Sequence, residues 1–255
     1  MPLCGLKYYI GKAFMKPRIL AGPEDTVVEK KNDVASFSVT LPSSGVFYPG
    51  RKDTIQVSLL TVSQVRQLYG AKGLTNEYNQ FREIVNALGR SVQDFDILDL
   101  TYSDFEYLKY WIRLNSFRST PYILMWEYMQ ENGEKKSVRS VVNMNDFHID
   151  ILDKHYSPPN NWKCMTVRDK LDIMQLTKPE DIAMAEYACL LPGRTIEEKQ
   201  LLLDSYPADT LVSMRRHIDK SHHGIVTRVM LTDPDVPDFE PIPHTLVMEL
   251  ADFFP

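Results

Sequence analysis

Residues 103–142 read SDFEYLKYWIRLNSFRSTPYILMWEYMQENGEKKSVRSVV, and the hydrophobic period changes partway along them. Phe105, Leu108, Trp111 and Ile112 recur at three- and four-residue steps, which makes one apolar stripe on a helix. Ser103 and Glu106 have capping-box spacing and mark its expected start. From Pro121 the period is two: Tyr122, Leu124, Trp126 and Tyr128 alternate with Ile123, Met125, Glu127 and Met129. Asn132-Gly133 then signals a hairpin, because both residues tolerate positive φ in a tight turn. Val138, Val141 and Val142 carry the return strand.

Upstream, Ala35, Phe37, Val39 and Leu41 alternate with polar neighbours, as do Ile55, Val57 and Leu59. These two strands pair across the turn-rich residues 42–50. Thr61 and Gln64 cap a short helix, and residues 76–88 form a second, with Tyr78, Phe81, Val85 and Leu88 on one face. Downstream, Phe147, Ile149 and Ile151 predict another strand of the central sheet, and residues 164–176 are expected to close it. Pro179 opens a helix with Glu180 and Asp181 in its first turn. Thr195 with Glu198 caps the next, Asp209 caps a third, and residues 245–250 form a closing strand. Strand and helix blocks are segregated, so the expected class is α+β: an N-terminal β-hairpin plus helices, a central antiparallel sheet, and a C-terminal helical part with a closing strand. The corresponding partition is an arm over residues 1–33, a hairpin and helical part over 34–120, a β part over 121–176 and a helical part over 177–255.

The chain has 255 residues, 44% of them hydrophobic and 25% charged, which excludes a disordered or coiled-coil protein. With 29 Lys+Arg against 34 Asp+Glu the net charge is -5, and no basic block offers a footprint for nucleic acid. Cys4, Cys164 and Cys189 are odd in number and far apart, which excludes a disulfide scaffold or a four-cysteine zinc site and fits a reducing compartment. Residues 1–14 lack the continuous apolar core of a signal peptide, and no stretch is long enough for a membrane span.

Motifs of nucleotide binding and hydrolysis are missing: there is no GxxxxGK[ST], GxGxxG, GxSxG or HExxH. His217, His222 and His223 with Asp219 would be the ligands of a small metal-dependent hydrolase, but histidines at a helix end also satisfy leftover carbonyls, and Gly224 then stops the helix. The run Asp233, Asp235, Asp238 and Glu240 does not match a calcium loop, and reads as solvated and extended among prolines. Asp94, Asp96, Asp99 and Asp104 read as a loop and the front of the Ser103 helix. Tyr107, Tyr110, Trp111 and Trp126 resemble a base-stacking set but sit at core positions among acids. No catalytic residue, metal or cofactor is therefore expected.

Three blocks carry a resemblance. The first is LPSSGVFYP at residues 41–49, followed by a strand and the Thr61 helix. The second is DLTYSDF at 99–105, running into WIRLNS at 111–116, Pro121-Tyr122 and Trp126-Glu127. The third is His223-Gly224-Ile225 before a C-terminal strand ending at Phe253 and Phe254. In this order, over residues 35–254, the chain resembles the baseplate hub and hub-assembly proteins of contractile-tailed bacteriophages. Relatives with paired cysteines after the HGI block hold a zinc ribbon there. Here Thr232, Asp233 and Pro234 occupy that interval, so no such ribbon is expected. The resemblance implies a virion protein of the tail baseplate, assembled in the host cytoplasm. It would be one part of a symmetric assembly with other phage tail and baseplate proteins, and would have no catalytic role. A tail-assembly chaperone absent from the finished particle is the alternative. Partner contacts are expected from the N-terminal arm, from Phe47, Tyr48 and Pro49 in the stiff aromatic loop, and from Phe253 and Phe254 at the end.

Overall fold

Val39 and Ile55 face each other across an antiparallel ribbon of β1 (Ser36–Thr40) and β2 (Thr54–Ser58), as the two alternating patterns predict. Val39, Ile55 and Val57 are buried on it. The structure, a computed structural model, describes residues 35–117, 122–130, 132–142 and 147–246. The N-terminal arm, the 247–250 part of the closing strand, Phe253 and Phe254 lie outside the described residues. The fold is α+β.

Two compact units take alternating lengths of chain, a larger one from 35–117 and 147–227 and a smaller one from 122–142 and 228–246. In the larger unit α1 (Val62–Ala71) begins with the expected capping box between Thr61 and Gln64. The Gln64 amide also donates to the Ala87 carbonyl (2.7 Å) and Ser91 Oγ (2.9 Å), which ties α1 to the end of α2 (Glu77–Gly89). Helix α3 (Tyr102–Ser116) starts two residues earlier than its sequence suggests. Thr101 rather than Ser103 is the N-cap, accepting from the Asp104 amide, because Thr101 and Asp104 share the capping spacing. Phe105, Leu108 and Ile112 of its stripe are fully buried.

Residues 164–176 do not close a sheet. They hold α4 (Val167–Ile173), whose start is set by a capping box of Thr166 and Asp169. Trp162, Ile173 and Leu176 pack with Ala188, Leu191, Ile196 and Met214 in one core. That core also joins α5 (Pro179–Ala188), α6 (Ile196–Leu203) and α7 (Thr210–Lys220). The strand read at 147–151 is β5 (His148–Asp150), and its partner is β6 (Gly224–Val226) rather than the central hairpin. Period two marks a strand but does not name its neighbour.

The smaller unit consists of two ribbons. In β3 (Tyr122–Met129) and β4 (Lys135–Val142) Trp126 lies opposite Val138, and Leu124, Trp126 and Val138 are all buried. Residues 130–134 connect them, a longer loop than a two-residue turn, closed by the Gln130 amide on the Glu134 carbonyl (2.8 Å). The second ribbon pairs β7 (Arg228–Leu231) with β8 (Ile242–Thr245). Among the described residues the expected central sheet is thus replaced by separate two-stranded ribbons. No helix among them is long and apolar enough to cross a membrane.

Candidate functional site

The loop joining β1 to β2 is wound by consecutive turns. Amides of Ser44, Val46, Tyr48 and Arg51 each donate to the carbonyl three residues back, and Leu41 closes the base on the Asp53 carbonyl (2.8 Å). Gly45 sits at φ 71°, and a Cβ there would lie 2.5 Å from the Arg51 carbonyl oxygen, so the winding needs glycine. This geometry turns Tyr48 inward, where it is 6% exposed.

Inside, Tyr48 meets the first turn of α3. Its hydroxyl donates to Asp104 Oδ2 (2.5 Å) and accepts from the Thr101 amide (2.9 Å). Asp104 Oδ1 accepts from the Ser43 amide (3.0 Å), and its side chain is fully buried. Asp104 lies in the first turn of α3, where the positive end of the helix favours a carboxylate. Burial, reinforced by the neighbouring Asp104 charge, pushes the Tyr48 phenol well above its ordinary pKa, so it stays a donor.

The HGI block completes the knot. His223 Nδ1 carries the hydrogen, because it bonds the Ser221 carbonyl (2.7 Å), which only accepts. Its Nε2 meets Thr101 Oγ1 at 3.0 Å, and in the neutral ring it accepts that hydroxyl. Phe47 stacks on the imidazole with centroids 5.8 Å apart. Gly224 has φ 114°, and a Cβ there would come within 3.2 Å of the Ser103 carbonyl oxygen, so the strand β6 passes α3 too closely for a side chain.

The sequence-predicted residues divide accordingly. Tyr48 is a core residue of its own unit, because Asp104 and Thr101 satisfy its hydroxyl and burial excludes a partner from its ring. Phe47 is half-buried against His223 and, edge-on, His217 (6.4 Å). Pro49 is exposed at the loop tip. The three histidines do not converge. His217 is held by the Tyr156 hydroxyl (2.7 Å) and the Lys163 carbonyl (3.1 Å), and burial lowers its pKa. His222 is exposed beside Asp150 (3.4 Å), and Asp219 pairs with Arg215 (3.3 Å). Among the described residues no three His, Cys, Asp or Glu are grouped to hold a metal. Tyr110 and Trp111 pack on Phe147 and Phe37 of the larger unit, whereas Trp126 belongs to the smaller one.

Sequence reasoning missed Thr101 and Asp104 as a structural pair, although their three-residue spacing signals it. It also read Asp233 as solvated. Asp233 is buried in the smaller unit, accepting from Tyr128 (2.7 Å) and paired with Lys136 (2.7 Å). The Lys136 ammonium holds the Asp233 carboxyl below the usual carboxylate range. Tyr128, which donates to Asp233, packs with Trp126 and Phe239 at ring centroids 4.8–5.6 Å apart.

Comparison of the chain with known protein families, with curated proteins and with solved structures finds no match.

Proposed function

We propose that this chain is a structural or assembly component of a bacteriophage contractile-tail baseplate, acting through protein–protein contacts without catalysis. One observation carries the reading. One segment from each of the three blocks on which the resemblance rests, at residues 43–48, 101–104 and 223–224, meets the others in one buried knot. There both oxygens of Asp104, both nitrogens of His223 and the hydroxyls of Tyr48 and Thr101 are engaged with each other or with backbone. Residues so engaged hold a loop in place and leave no free base or nucleophile.

The knot supports the reading physically as well. It fixes a wound loop whose tip, Pro49 to Arg51, is exposed, and Arg51 anchors that tip by donating to the Lys154 carbonyl (2.6 Å). A prepositioned loop loses little entropy on meeting a neighbour. Contact by this route falls on Pro49, Gly50 and the outer edge of Phe47, not on Tyr48.

Mass spectrometry of gradient-purified tailed particles from the expressing cells tests the proposal. Recovery with tails at fixed stoichiometry is expected for a permanent subunit. Recovery with tail precursors but not with finished particles identifies the assembly-factor form. Recovery with neither overturns the proposal.

A further inference from the structure

Four cationic side chains line one cavity of the larger unit. It encloses ≈ 420 Å³ beside the segment entering α4 and the loop before α6, and its wall includes Lys163, Arg168, Arg194 and Lys199 against Asp99 and Asp169. Two carboxylates stand in the wall with these four cations, and both are already taken; just outside it Asp96 meets Arg168 (3.7 Å) and Glu198 accepts from the Arg194 amide (2.8 Å). Asp169 Oδ1 accepts from Lys199 (2.5 Å) and its Oδ2 from the amide and hydroxyl of Thr166 (3.0 and 2.9 Å). Asp99 accepts from Arg168 (3.0 Å). The Lys163 and Arg194 side chains make no hydrogen bond or ion pair among the described residues. Burial pushes the Cys164 thiol in the same wall up to about 12, so it stays neutral and does not offset them.

We propose that this cavity binds a small anion carrying a phosphate or carboxylate group, with Arg194 and Lys163 as its main contacts. A guanidinium presents two parallel donors to such a group and an ammonium adds a point charge. The volume falls within the range of small-molecule sites, roughly 300–1,000 Å³, and exceeds what a bare ion needs. Asp169 pairs with Lys199 and Asp99 with Arg168, which leaves Lys163 and Arg194 as the side chains that can turn to a bound anion. The inference is independent of the baseplate proposal.

Isothermal titration calorimetry on the full chain near physiological ionic strength, with inorganic phosphate, pyrophosphate and citrate as separate probes, tests it. One-site binding of at least one probe is expected, with a dissociation constant below about 1 mM. The double variant Lys163→Ala/Arg194→Ala should weaken it at least about tenfold, equivalent to about 1.4 kcal/mol. Its unliganded melting temperature should not move, since neither side chain has a partner to lose. Lys72→Ala, a lysine elsewhere on the surface, should change nothing. Amide NMR shifts at Thr166 and Gly193 locate the anion without any variant. No saturable binding by any probe, equal loss in the Lys72 control, or shifts confined to other residues would each overturn the proposal.

Discussion

Each unit contains a tyrosine hydroxyl donating to a buried aspartate, and the two aspartates are stabilised by different means. In the larger unit Asp104 is surrounded by Tyr48, the Ser43 amide and the first turn of α3, with no lysine or arginine paired to it among the described residues. In the smaller unit Asp233 has a lysine, Lys136, at 2.7 Å, and that lysine is partly exposed. The first arrangement depends on backbone that must be folded before it can donate, so the carboxylate and the loop order each other. The second is an ion pair between a lysine of β4 and an aspartate in the loop after β7. One is therefore a keystone for three distant segments and the other a clamp between two.

The largest expected effect comes from Asp104→Asn. The amide cannot accept from both Tyr48 and the Ser43 amide while satisfying its own donors, so urea unfolding of the larger unit should show a loss of about 3 kcal/mol. A loss under about 1 kcal/mol would remove the distinction between keystone and clamp. Gly224→Ala tests the close passage of β6 by α3. It should cost about 1–3 kcal/mol, because the new methyl group meets Ser103 and φ 114° is strained for alanine. The same change at exposed Gly70, where a Cβ meets nothing, should cost nothing.

The comparison also predicts opposite pH limbs. The Tyr48 pKa is raised on folding, so its contribution is complete below the unfolded tyrosine value of 10.0 and falls as pH rises past it. The Asp233 pKa is lowered on folding, so its contribution is complete above the unfolded value of 3.8 and is lost as pH falls through the depressed one. A carboxyl titration of Asp233 followed by NMR should shift upward in Lys136→Met, while the Tyr48 contribution to the alkaline limb stays unchanged. The smallest effect is in salt: raising ionic strength should weaken the Lys136 pair slightly and leave the Tyr48 pair unmoved, as melting curves of Lys136→Met and Tyr48→Phe against their parent would report.

Much of this architecture was legible locally. The Thr61–Gln64 and Thr195–Glu198 caps, the alternation in β1 and β2, and the period change at Pro121 each depend on neighbours a few residues away. What was not legible is what local pattern cannot encode. The same alternation that marks β5 fits any partner, and its partner lies in β6, more than 70 residues on. Thr166-x-x-Asp169 outweighed a short apolar run and made α4 helical. Asp233 reads as solvent-facing beside Pro234 because its lysine comes from β4. The candidate site was half visible: the blocks holding Tyr48, Asp104 and His223 stand out in sequence, but their meeting at Thr101 depends on the wound loop.

A double-mutant cycle of Tyr48→Phe with Asp104→Asn tests the keystone most directly. If the knot is one coupled unit, the double variant should lose less than the sum of the single losses, with a coupling of about 1–3 kcal/mol in urea unfolding. Losses that add to within about 0.5 kcal/mol would mean that Tyr48 and Asp104 act independently and that no knot joins the three blocks.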